Sequence, residues 1–115
     1  MNIRLTAKGR KRISHYLEMR GFLKPIERPK TWDRQWRIIL FDIPSDDRTK
    51  RNEFRSFIRR LGAVMLQKSV WIYPFDCESQ VLLLRKFFNF TENEVRLVIA
   101  NFIGEDKKLR MQFQV

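Results

Sequence analysis

The chain has 115 residues, a hydrophobic share of 43% that includes 10 Phe, and a formal net charge of +11 with a pI of about 10.5. It is long enough for one domain with one apolar core, and its charge makes a polyanion (nucleic acid or an acidic membrane surface) the first partner to consider. The lone Cys77 excludes an internal disulfide framework and suits a reducing cytoplasm; no apolar run of about 18 residues exists to span a membrane, and no apolar segment follows the basic N-terminus as a secretory signal would require.

Residues 1–31 read as a separate piece: a short N-terminal helix with Thr6 as cap and Ile13, Tyr16 and Leu17 on one face, then a linker broken by Pro25 and Pro29. The helix is too short and too thinly apolar to stand alone. The main domain is expected over 32–115. Residues 35–43 form a strand that is apolar on both faces apart from Arg37, which argues for a central place in a sheet. Pro44 stops it, Ser45 is a good helix cap, and Asp46 and Asp47 suit the positive start of a helix that runs to Leu61 and ends at Gly62. Phe54, Phe57, Ile58 and Leu61 make its core stripe at i, i+3, i+4 and i+7.

Residues 63–67 and 69–74 are expected to form a hairpin around Gln67-Lys68, followed by a helix capped by Asp76 with Val81, Leu84 and Phe88 turned inward. A fourth strand follows over 94–103. Leu109, Met111, Phe113 and Val115 then alternate with polar residues and read as a fifth, half-buried strand. The order is βαββαβ with an extra C-terminal strand, an α+β arrangement of the ferredoxin-like kind, with both helices on one face of an antiparallel sheet. The other face needs a cover, most simply a second copy of the chain, and the fifth strand could pair with the partner's sheet edge.

Asp42 is the sharpest candidate for chemistry. It ends the first strand on the face of Trp36, Ile38 and Leu40, where a carboxylate is costly unless hydrogen-bonded, paired or metal-bound. One carboxylate is a poor Mg²⁺ site, but two Asp42 side chains meeting across a two-fold axis could hold a metal that activates water at a phosphodiester. The competing role is structural, accepting loop amides or pairing with an Arg. Arg48, Arg51, Arg55 and Arg59 line one side of the first helix, Lys50 and Arg60 widen the strip, and Glu53 is the acid near its middle. A charge run is usually a solvated face; this imbalance favours contact with a phosphate backbone, which positions a duplex without reading its sequence. Trp36 and Trp71, inside strands, suit packing better than base stacking. His15 lacks ligand-type neighbours, and there is no P-loop, zinc pattern or nucleophile elbow.

Phe41-Asp42-Ile43, then Ser45-Asp46-Asp47-Arg48, Leu61-Gly62 and Leu66-Gln67-Lys68-Ser69-Val70-Trp71 resemble the small CRISPR adaptation nucleases, the Cas-two proteins, and also the Cas-two-like central domain of PaaX-type transcriptional repressors. The resemblance covers about residues 32–113. It implies a ferredoxin-like homodimer. In the CRISPR branch such a dimer bridges integrase subunits along duplex DNA, and some members are metal-dependent endonucleases using Mg²⁺ or Mn²⁺ held by the strand-end aspartate, a role that falls on Asp42. The basic residues that follow fall on Arg48, Lys50 and Arg51. Ile72-Tyr73-Pro74-Phe75-Asp76-Cys77 departs from that branch, which commonly has an acid and a shorter connection there. Leu5-Thr6-Ala7-Lys8-Gly9-Arg10 looks like the tail of a winged helix-turn-helix domain, as in the regulators. The expectation is a Cas-two-like duplex-binding dimer of spacer acquisition, with a PaaX-like dimerisation domain as the alternative and an interaction domain of incidental charge as a third.

Overall fold

The computed structural model describes residues 26–44 and 48–115; the expected N-terminal helix and the Ser45, Asp46 and Asp47 cap lie outside them. The elements are β1 (Trp36–Phe41), α1 (Arg48–Leu61), β2 (Val64–Gln67), β3 (Val70–Tyr73), α2 (Glu78–Phe88), β4 (Val95–Ala100) and α3 (Lys107–Phe113). The strands make one antiparallel sheet in the order β2-β3-β1-β4. β1 is therefore central, as its two apolar faces predict, and the α+β ferredoxin-like arrangement stands.

Alternation along β1 sends Ile39 and Phe41 under the helices. They meet Phe54, Phe57 and Ile58 of α1 and Val81, Leu84 and Phe88 of α2 in the main core. Much of that core is aromatic: Phe54 stands edge-on to Phe41, Phe88 and Phe90 at 5.3–6.1 Å between ring centres, a geometry that aligns ring edges with ring faces. Helix α1 ends in a Schellman motif, with Gly62 N–H donating to Arg59 O and Ala63 N–H to Ile58 O. Gly62 has φ +104°, a backbone conformation that side chains rarely adopt, and a Cβ there would come within 3.1 Å of the Tyr73 ring, which would have to shift. The β2–β3 turn falls at Lys68-Ser69, with Ser69 at φ 66°, and a register shift between Met65 and Gln67. The first residue of α2 is Glu78. Asp76 precedes the cap position and its Oδ1 accepts the Glu78 N–H.

The expected fifth strand is instead helix α3. Leu109, Met111, Phe113 and Val115 alternate, but Leu109 and Phe113 are also spaced i, i+4, and both are half-buried while Met111 is 70% exposed. The helix is fixed at both ends. Glu105 Oε1 accepts the Lys107 N–H, and at the far end Gln114, in the left-handed region, and Val115 donate to Met111 O and Arg110 O. Phe113 reaches Trp36 and Tyr73, at 6.0 and 5.9 Å between ring centres. Asp106 Oδ2 accepts the Trp36 indole N–H at 3.0 Å. This chain thus covers Trp36 itself, at the end of the open sheet face, and the segment expected to pair with a partner's edge is helical. Farther along that face, Ile38, Leu40 and Val70 are half-buried and Val98 is exposed.

Candidate nucleic-acid interface

Helix α1 buries Phe54, Phe57 and Ile58. At 3.6 residues per turn, Arg48, Arg51, Arg55 and Arg59 fall together on one flank of that stripe. Arg48 and Arg59 are exposed, and Arg51 and Arg55 are half-buried. Aromatic rings of the sheet support the row: the Arg55 guanidinium lies 5.8 Å from the Phe41 ring centre and that of Arg59 5.7 Å from Trp71. Such contacts orient a guanidinium while leaving its edge donors for other partners. Nε of Arg51 and of Arg55 is buried without an acceptor, and none of the four residues is in an ion pair with a described residue. Glu53, the only acid in the helix, falls on the opposite flank with Arg60, seven residues on.

The structure separates Lys50 from the row. Lys50 shares the side of Phe54, Phe57 and Leu61, and its ammonium stands 5.7 Å from the Phe90 ring centre, toward the segment after α2.

Asp42 follows the last residue of β1. Its backbone N–H donates to Glu94 O at 2.8 Å, and its side chain is exposed and bonded to no described residue. By alternation it shares the open face with Ile38 and Leu40. Glu94, opposite it, already accepts the Thr91 N–H through Oε1 at 2.9 Å. No group of three metal-ligating side chains exists among the described residues. Among the described residues Asp42 therefore stands as a single carboxylate, and a divalent cation there needs a further carboxylate.

At the other end of the sheet the buried charge is engaged. Arg37 is 6% exposed; its terminal nitrogens donate to Asp33 Oδ1 and Oδ2 at 2.9 and 2.6 Å, to Gln35 O and to Pro74 O. The Arg37 hydrogen bond holds the Asp33 carboxyl below its ordinary range. Burial pushes the Cys77 thiol up to about 12, so it is an inert core residue. A second set of cations, Arg28, Lys30, Arg34 and Arg110, gathers here around Trp32; sequence reading missed it because the linker, a turn and α3 supply its members separately.

No curated protein and no solved structure matches the chain. The model of the PaaX protein central Cas2-like domain matches residues 29–111, which spans the whole sheet and both core helices. The chain belongs to the family of PaaX central Cas2-like domains.

Proposed function

We propose that the chain works as a homodimeric module that lies along duplex DNA, with Arg51, Arg55 and Arg59 contacting the phosphate backbone. The observation that carries this reading is the α1 row: four arginines on one flank, without acidic partners among the described residues, two of them oriented by aromatic rings. Such contacts supply affinity and register with little base preference. Dimerisation rests on the family, whose Cas2-like domains commonly pair, and on the apolar strip of Ile38, Leu40, Val70 and Val98 left on the open face.

Two uses of such a dimer follow. In the first, the protein serves CRISPR spacer acquisition beside an integrase, as an architectural element and a Mg²⁺- or Mn²⁺-dependent endonuclease. The exposed Asp42 carboxylate, bonded to no described residue, favours that use, since a two-fold axis near it would bring in the second carboxylate a divalent ion needs; a bound ion would there polarise a phosphodiester and activate water. In the second, the domain dimerises a PaaX-like transcriptional regulator and has no catalytic role. The PaaX family match and the lack of other ligating side chains grouped with Asp42 among the described residues favour this use.

The test is incubation of duplex DNA with Mg²⁺, Mn²⁺ or EDTA, comparing wild type with Asp42→Ala. Metal-dependent cleavage lost in the variant supports the nuclease. A shifted duplex without cleavage in either protein supports a non-catalytic duplex binder, architectural or regulatory, and absence of both rejects the DNA-binding reading altogether.

A further inference from the structure

We propose that the concavity between the linker, the Trp32–Gln35 turn and α3 binds a small molecule carrying two or more linked phosphates. The cavity measures about 300 Å³, and Arg28, Lys30, Arg34 and Arg110 line it with Trp32 and Phe75. Among the described residues no acidic side chain lines it. Four positive charges facing one concavity repel each other, and a compact polyanion removes that cost while accepting several charge-assisted hydrogen bonds.

Two of the cations, Arg28 and Arg110, are held by side-chain contacts. The Arg28 guanidinium lies 5.5 Å from the Phe75 ring centre and donates to Gln114 O at 2.5 Å. That of Arg110 lies 5.5 Å from the Trp32 ring centre, and its Nε is buried with no acceptor. Arg34 has φ 63°, a left-handed conformation that non-glycine residues seldom adopt and that tends to persist at sites of function. The turn around it is locked, because Asp33 Oδ1 accepts the Gln35 N–H at 3.0 Å and the Trp32 indole donates to Gln35 O and to Pro74 O. Cations fixed before a ligand arrives lose little freedom on binding.

A linked phosphate pair fits this site better than a duplex does. The α1 row runs along a convex helix surface, as a long backbone requires, whereas these four side chains come from three separate segments and converge on one hollow. Inorganic pyrophosphate and the phosphates of a nucleotide present the same chemistry, and the test separates these sources.

The test is calorimetric titration of the full chain, at fixed ionic strength, with inorganic pyrophosphate, ATP and adenosine. The proposal expects saturable binding of pyrophosphate and ATP at one site per chain and none of adenosine; tighter binding of ATP identifies the nucleotide as the source, and equal binding the free anion. Arg34→Asn, which keeps a residue tolerant of the left-handed region, and Arg110→Gln should each weaken binding by about tenfold. Lys30→Ala, an exposed linker change that leaves the fold alone, should weaken it less. Arg51→Ala with Arg55→Ala should leave it unchanged. The proposal is overturned by non-saturating heats, by equal loss in the Arg51 and Arg55 variant, or by displacement of pyrophosphate with duplex DNA.

Discussion

Arg37 and Asp42 stand near opposite ends of β1. Arg37 is almost wholly buried and donates to a carboxylate and to the Gln35 and Pro74 carbonyls. Asp42 is exposed, and its carboxylate bonds to no described residue. Around Arg37 the linker, the Trp32 indole and α3 close the end of the sheet, while at the Asp42 end the bonds to described residues are backbone ones, Phe41 N–H to Ser69 O and Asp42 N–H to Glu94 O. A charge bound into the scaffold serves the fold. A charge left unpaired at a strand end, where pairing would be stabilising, is available to a ligand or a second chain.

Three substitutions and a pH series break or sharpen this contrast. Trp36→Ala should be the most damaging, because it removes ring contacts to Trp32 and Phe113 together with the Asp106 bond; a loss of about 3–5 kcal/mol in urea unfolding is expected. Arg37→Ala removes the charged hydrogen bonds to Asp33 and to the Gln35 and Pro74 carbonyls, both of which keep the Trp32 indole N–H, and should cost about 1.5–3 kcal/mol. A change below about 0.5 kcal/mol in either variant would mean that the closed end is not what holds β1 in place.

Acid sharpens the same point. The Asp33 carboxyl is held below its ordinary value of 3.8 in the fold, so its stabilisation is complete above that value and disappears as pH falls through the lower, folded one. Wild type should lose more stability between about pH 5 and about pH 2 than Arg37→Ala, in which the depressing partner is gone. Equal acid limbs would remove Arg37 as the cause. At the other end, Asp42→Ala should shift stability by less than about 0.5 kcal/mol; a loss of several times that would make Asp42 structural and end its candidacy as a ligand.

The sequence was most readable where one pattern admitted one structure. The spacing of Phe54, Phe57, Ile58 and Leu61 and the stop at Gly62 set α1 to its observed end at Leu61, and the apolar run through Ile38, Ile39 and Leu40 marked the central strand. It failed at residues 109–115, where a two-residue and a four-residue period coexist and contact with Trp36 and Tyr73 favours the helix. Lys50 shows a related limit. It lies between Arg48 and Arg51 in sequence, yet its helical angle carries it to the Phe90 side. The Arg28, Arg34 and Arg110 cluster has no local signature, because only the packing of α3 on the linker assembles it.

The contact between the α1 row and a phosphate backbone is tested most directly by duplex affinity measured across salt concentrations for wild type and for Arg51→Ala, Arg55→Ala and Arg59→Ala combined. The account predicts weaker binding and a log–log salt slope shallower by roughly 0.9 for each phosphate contact removed, about 2–3 in all, with the fold intact. Unchanged affinity and slope would contradict it and return the row to the status of a solvated face.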